Sequence, residues 1–433
     1  VKLKQSFGTV QWFMFLLANS VAMPIVFGGL FQLSLEEISS LIQRTFFIVG
    51  ISSFLQGWIG HRLPIADGPA GTWVSLFAVL ADIAIRQGQN PHDTLPALSG
   101  AVLIAGVLLF VLGLAKVTHR LAFLFTPLVT GTFLLILAIQ LSGVFMKGMF
   151  GLTTGQVATN YAVTGLAGGV FVFVLLLSLL GKGVFKQYAV MIGLLTGWLL
   201  YELLGLRTAG IPFNTGEAWL QVPGVFVWGI PKVDLNIVIA VVLFTFMLVS
   251  NSVAAVTAVE EATTASPADR PKRLNRGGII GGISHGLASV FSTIAVVQLP
   301  VSAGFIRMTE QRNVKPFLWA GILFAGLSFF PFVVKGLALL PGPIASAALL
   351  TTFVQMVGIA MQGITREPLD QRSMSILGIS LVTGVGLMAL PGAAFQALPA
   401  PFQYVLGNGL LFGTVVAICL EQIWRKANVP RVS

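Results

Sequence analysis

The sequence predicts an all-α polytopic membrane protein of fourteen transmembrane segments in two inverted repeats of seven, and three observations predict it. Of the 433 residues, 56% are hydrophobic and only 9% are charged, against roughly 25% charged in a soluble domain. The apolar runs are mostly about 18–25 residues long, which matches a hydrocarbon core roughly 30 Å thick at 1.5 Å per residue. Short sequence matches recur at nearly equal spacing in the two halves. Barrel-type alternation of apolar and polar residues is absent, so helices are the reading.

The runs lie near 8–27, 42–60, 69–86, 96–115, 121–145, 162–181 and 187–206, then near 235–258, 277–296, 298–309, 316–334, 340–362, 374–391 and 404–424. Residues 1–206 make the first repeat, 207–234 a polar connecting loop, and 235–433 the second repeat. The net charge of +10 is read as a topology signal rather than a nucleic-acid surface. With the N-terminus in the cytoplasm, nineteen of the 25 Lys and Arg residues fall inside. The six outside are Arg44, Arg86, Lys147, Arg207, Lys232 and Lys335. Such a bias supports fourteen crossings of the cell membrane with both termini cytoplasmic.

The repeat rests on specific residues. Asn19-Ser20-Val21-Ala22 in the first segment matches Asn251-Ser252-Val253-Ala254 in the eighth. Ala70-Gly71 in the third matches Ala303-Gly304 in the tenth. Asn19 precedes Gly71 by 52 residues, and Asn251 precedes Gly304 by 53. Seven is odd, so sevenfold repeats enter the membrane from opposite sides, a transporter signature with substrate held at interrupted helices near the midplane. The third segment opens with Pro64, Asp67, Gly68, Pro69 and Gly71, and the tenth has Gln298, Pro300, Ser302 and Gly304. Each reads as a short extended stretch feeding a half-helix whose N-terminus leaves backbone N–H groups free.

Composition also excludes. The one cysteine, Cys419, rules out an internal disulfide and a cysteine zinc cluster. No Ser–His or paired-Asp constellation falls on facing segments, so an enzyme is not expected. No metal, cofactor or nucleic-acid partner is expected, and the N-terminal stretch shows no cleavable signal pattern. Membrane lipid is the expected surroundings.

The pattern resembles the nucleobase–ascorbate transporter family, also called nucleobase:cation symporter family 2. Gln11 with Pro24 thirteen residues later resembles the family's Gln-His…Pro stretch, with Trp12 in place of His. Pro127-Leu128-Val129-Thr130-Gly131 resembles the gate-helix motif, and Pro343 opens its counterpart. The segment-10 signature becomes Val301-Ser302-Ala303-Gly304-Phe305-Ile306-Arg307-Met308-Thr309, which keeps Gly304 and Thr309. The substrate-binding Glu of segment 8 is replaced by Asn251, and the ionisable residue four positions later by Ala255. The chain looks like a divergent member with the character of a purine permease.

That resemblance implies a core domain from segments 1–4 and 8–11, a gate domain from segments 5–7 and 12–14, and short strands in segments 3 and 10. It also implies a homodimer through the gate domain. It implies a permease for a purine such as xanthine, uric acid, guanine, hypoxanthine or adenine, with a proton or other cation as co-substrate. An anion transporter of the same 7+7 fold and a non-transporting receptor are the alternatives.

Asn251 is the leading binding residue, because its amide presents an acceptor and a donor side by side, as a nucleobase edge requires. Asn19 is its repeat mate. Trp73 follows the start of the third segment, where the family places an aromatic ring. Ala70, Gly71, Pro300, Val301, Ser302, Ala303 and Gly304 offer half-helix backbone and one hydroxyl. Glu260 and Glu261 are candidates for proton coupling, with interfacial ion pairing as the alternative. His285 is a further candidate, with a satisfied helix contact as the alternative. Asp67 is read as a loop residue.

The crossing count predicts that cysteines introduced at Val1 and Ser433 resist an impermeant thiol reagent applied to intact cells. Labelling of either end from outside would overturn it.

Overall fold

The protein is described by a computed structural model that covers residues 2–86, 88–152, 160–207, 219–263, 265–395 and 397–424. Both chain ends and the middle of the 207–234 connection lie outside the described residues, and with them the expected cytoplasmic termini.

In the first half, α1 (Lys2–Ser20) and α2 (Ala22–Leu30) form one broken helix. There follow α3 (Leu35–Trp58), strand β1 (Asp67–Pro69), α4 (Gly71–Arg86), α5 (Leu95–Leu114), the single turn α6 (Thr118–Leu121), α7 (Pro127–Met149), α8 (Tyr161–Leu180), the turn α9 (Val184–Gln187) and α10 (Ala189–Leu203). The second half holds α11 (Leu235–Thr263), α12 (Arg270–Val290), strand β2 (Val296–Gln298), α13 (Ser302–Thr309), α14 (Val314–Leu327), α15 (Pro331–Ala338), α16 (Gly342–Ile364), α17 (Gln371–Ala389), α18 (Ala400–Leu406) and α19 (Gly409–Ile423). Eight helices among the described residues are long and apolar enough to cross a membrane, and α14 with α15, an apolar pair bent by 86°, is either a broken span or a re-entrant loop.

Local chemistry sets the boundaries. Ser34 and Glu37 form a capping box that starts α3: the Ser34 amide donates to Glu37 Oε2 at 2.7 Å and the Glu37 amide to Ser34 Oγ at 3.3 Å. Thr126 caps α7 with Pro127 in its first turn, where proline's missing N–H costs nothing. Asn160, Asn313, Asp370 and Asn408 cap α8, α14, α17 and α19 in the same way. Satisfying these terminal amides matters more in lipid than in water.

The halves pack as mates. Helix α3 packs on α14, and α12 packs on α5. Helix α1 meets α14, and α11 meets α5. Helix α8 meets α10 and α16, while α17 meets α19 and α7. Helices α7 and α16 pack on each other. Exchanging each element for its counterpart in the other half reproduces the same contacts. Close approach depends on glycine in both mates. A Cβ on Gly106 would lie 2.9 Å from Gly282 O, and one on Gly50 would lie 2.6 Å from Gly321 O.

The described end of the connection, residues 219–234, straps one end of this assembly. The Trp228 ring stacks on Phe27 at 5.5 Å and lies under the Arg44 guanidinium at 5.6 Å. Its amide donates to Ser292 Oγ at 3.1 Å. Arg44 is 1% exposed and donates to Phe291 O at 3.1 Å and to Ser292 O. One of the six cations assigned outside thus caps the end of α12, where carbonyls lack helical partners.

The mate contact between α5 and α12 predicts the cost of a side chain there. Gly282→Val should destabilise by about 1–3 kcal/mol through overpacking. Thermal unfolding of the purified protein checks this, and an unchanged midpoint would count against the packing.

Candidate functional site

Two interrupted helices meet head to head. Strand β1 pairs antiparallel with β2, with Asp67 opposite Gln298, Gly68 opposite Val297 and Pro69 opposite Val296. Side chains and flanking amides complete what three residues a side leave open. The Asp67 amide donates to Ser53 Oγ at 3.0 Å, and the Ala66 amide to Ser302 Oγ at 3.1 Å. The Ala70 amide donates to Ala295 O at 3.0 Å, and the Leu299 amide to Ala66 O at 2.8 Å. Beyond the strands, α4 starts at Gly71 and α13 at Ser302.

Asn251 sits beside this crossing. It is 6% exposed, and its Nδ2 donates to Gln298 O at 2.7 Å. That bond fixes the amide's orientation, since a carbonyl can only accept. Asn251 Oδ1 has no partner among the described residues and remains an acceptor. Ser252 Oγ donates to Gln298 Oε1 at 2.7 Å and holds that side chain too. Asn19, the repeat mate, is half-buried beside the break between α1 and α2, and its Nδ2 bonds Phe15 O at 2.8 Å.

The two half-helix starts differ. On α13, the Ser302 amide donates to Leu299 O at 3.0 Å and the Ala303 amide to Pro300 O at 3.1 Å. Ser302 Oγ is taken by Ala66, and Gly304 is exposed with open space around it. On α4, the amides of Gly71 and Thr72 have no hydrogen-bond partner among the described residues. Thr72 Oγ1 is likewise buried and unpartnered, as is Ser20 Oγ at the break between α1 and α2. The amides of Val301 and Gly304 are unpartnered among the described residues as well, so free backbone donors stand at both half-helix starts, and the α4 side adds the two buried hydroxyls.

Trp73 is fully buried. It packs on Phe244 at 4.7 Å and Phe77 at 5.5 Å, and its Nε1 donates to His285 Nε2 at 3.1 Å. His285 Nδ1 lies 2.8 Å from Gly281 O. The ring therefore carries its proton on Nδ1 and is satisfied on both nitrogens.

Glu260 and Glu261 lie at the end of α11, away from the crossing. Glu260 is 2% exposed and binds Arg270 at 2.6 Å and Arg273 at 2.7 Å. Glu261 reaches Arg366 at 3.3 Å and Arg307 at 3.7 Å with all three side chains near half exposed or more, a setting in which such pairs contribute little.

Sequence reasoning missed two residues here. Asp67 is not a loop residue: it opens β1, is 2% exposed and accepts a hydrogen bond from Ser52 Oγ. An acid inside an interrupted membrane segment was the signal that could have found it. Gln298 was singled out only weakly, yet both its backbone and its side chain anchor α11.

A cavity of about 650 Å³ opens between α2, α4, α7 and α16, with Val26, Val79, Gly148 and Ser346 in its wall and Lys147 at its rim. Its α4 wall begins at Ala78, about 10 Å along the helix from Gly71. It approaches the crossing without including it.

The sequence matches the family model Xan_ur_permease, described as "Permease family", over residues 3–393. The chain belongs to this permease family. Among its relatives, the protein named "Putative purine permease YwdJ" of Bacillus subtilis (strain 168) is 34% identical over 430 residues, 98% of this chain and 97% of that one. "Uric acid permease PucK" of the same organism is 24% identical over 96% of this chain and 94% of its own. The transmembrane domain of a cyanobacterium bicarbonate transporter, BicA, superposes with a TM-score of 0.66 at 12% identity, over 96% of this chain and 97% of that domain. At that identity the likeness is one of fold. The permease is thus a multi-pass, mostly helical membrane protein with the architecture of 7+7 transporters.

The indole–imidazole bond gives a local prediction. Trp73→Phe leaves His285 Nε2 buried without a donor, which costs about 1–3 kcal/mol. A thermal midpoint equal to the wild type's would show that the bond contributes nothing.

Proposed function

We propose that this permease carries an oxopurine, of the xanthine, uric acid, hypoxanthine or guanine type, across the cell membrane. The observation that carries the reading is the crossing itself: Asn251 Oδ1 is left as an acceptor beside unpartnered amides at the start of α4. A ring N–H of the base would donate to Asn251. Its keto oxygens would accept from Gly71 and Thr72. Adenine has no keto oxygen and fits this donor set less well. Asn19 would flank the base across the break between α1 and α2. Ala70, Pro300, Val301, Ala303 and Gly304 would wall the site, with Ser302 holding the strand behind it. Trp73 would act from behind by fixing His285 and the α4 start.

Several features support the wider frame. With the single turns α6 and α9 set aside, the helices fall into fourteen units when α1 with α2, β1 with α4, β2 with α13, α14 with α15, and α18 with α19 each count as one. The charge bias favours both termini in the cytoplasm. Mate-wise packing supports a core of segments 1–4 and 8–11 and a gate of segments 5–7 and 12–14. On that topology the 650 Å³ cavity opens outward between core and gate, an access route for the base. A gate-mediated homodimer follows from the family resemblance.

Purified protein in liposomes should show saturable exchange of labelled xanthine or uric acid, competed by other oxopurines more than by adenine. Binding without exchange would make it a receptor, and exchange of bicarbonate or sulfate alone would make it an anion carrier. Asn251→Ala removes the acceptor and should weaken base binding by roughly 5–150-fold, the equivalent of about 1–3 kcal/mol. Unchanged affinity in a folded variant removes Asn251 from the site.

A further inference from the structure

Among the side chains described, three acids are buried, Asp67, Glu260 and Glu421, and Glu421 pairs with Arg372 at 2.8 Å. Glu260 is neutralised by Arg270 and Arg273. Asp67 has no cation. Its Oδ2 accepts from Ser52 Oγ, Ser52 Oγ lies 2.7 Å from Ser284 Oγ, and its Oδ1 is buried without a partner. The geometry points to Asp67 as the proton site of this permease, loaded and unloaded as the base crosses. The inference rests on the reading of the chain as a base permease.

A carboxylate buried with a single hydroxyl donor and no counter-ion is poorly solvated, and gaining a proton relieves that cost. Charged groups on the neighbouring elements stand away from Asp67; α4, which continues from β1, has only Asp82 and Arg86, in its last two turns. On α3, Glu36, Glu37 and Arg44 lie in the opposite half, Arg44 being eight residues, about 12 Å, from Ser52. On α12, Arg270, Lys272, Arg273 and Arg276 lie in the first two turns, and His285 is held between Trp73 and Gly281. On α1 the only charged residues are Lys2 and Lys4 in its first turn, and β2 has none. Arg307 of α13 is exposed and faces Glu261.

The hydroxyl pair suits either protonation state. With Asp67 ionised, Ser284 donates to Ser52 and Ser52 to Asp67. With Asp67 protonated, both bonds can reverse, because either serine can be the donor. A polar column continues from this point along α3 and α12. Gln56 Oε1 and His61 Nε2 are buried without partners. A Cβ on Gly277 would lie 3.8 Å from Gln56 Oε1 and 3.9 Å from His61 Cβ, and one on Gly281 3.8 Å from Gln56 Nε2. The glycines leave room beside an unpartnered acceptor, Gln56 Oε1, and an unpartnered donor, His61 Nε2–H, whose ring accepts the Leu63 amide on Nδ1, on the side the charge bias assigns to the cytoplasm. At the other end, Asp67 is paired with Gln298, whose carbonyl holds Asn251. Proton and base thus share one strand pair. The loss of the family acid at position 251 is made good from the facing repeat.

The full chain in liposomes, with voltage clamped by potassium and valinomycin, tests this. An inward gradient of one pH unit should accumulate xanthine about tenfold at one proton per base. Asp67→Asn, similar in shape but unable to titrate, should bring that ratio to one, whatever its remaining exchange rate. Ser52→Ala removes the hydroxyl in contact with the Asp67 carboxyl, so the midpoint of the pH dependence should move. Gradient-driven accumulation by Asp67→Asn equal to the wild type's overturns the assignment, and so does wild-type exchange that ignores the gradient. If Asp67→Asn does not fold, an unmoved midpoint in Ser52→Ala overturns it instead. A wild type that exchanges no base at all sinks the permease reading, not this assignment alone.

Discussion

Backbone amides and carbonyls at membrane depth must find partners, because lipid offers none. This permease breaks two helices there and is left with a strand pair of three residues a side. So short a ladder cannot satisfy its own ends. Ser53, Ser302 and Asn251 supply the missing hydrogen bonds from three other elements. The side chains around the crossing are therefore recruited first by the backbone. What they leave over, one amide oxygen and free amides at both half-helix starts, is what a ligand can use.

Cations are kept away from that centre. The Glu260 and Glu261 clusters lie at the end of α11, each acid beside two arginines. Arg44 spends its guanidinium on the carbonyls that end α12. Around the crossing the interior polar groups, Asp67 apart, are hydroxyls, amides and a satisfied imidazole. An environment of that kind suits a neutral, hydrogen-bonding solute better than an ion, which would need a fixed counter-charge.

Much of this architecture was legible in the sequence. Hydrophobic length is summed over many residues, so the polytopic helical class survives local error. The Asn19 and Asn251 matches carried the repeat, and the proline–glycine clusters located both interruptions. Partners were not legible. Asp67 looked like a loop residue because its fate depends on Ser52 and on Ser284, which is distant in sequence. Trp73 carries a family-like ring, yet its indole N–H is taken by His285, a pairing no local pattern encodes. The unequal use of amides at the starts of α4 and α13 turns on single hydrogen bonds, below the resolution of any periodicity.

The crossing also constrains how the chain is made. Ala66 and the Ser302 that receives its amide are 236 residues apart. At ribosomal rates of roughly 5–20 residues per second, β1 waits about 10–50 s for β2 to be synthesised. Throughout that time a polar, unpaired strand sits beside a newly inserted helix bundle. Quality control in the membrane has that interval in which to recognise it. Truncated or stalled chains that end before Val296 never pair it.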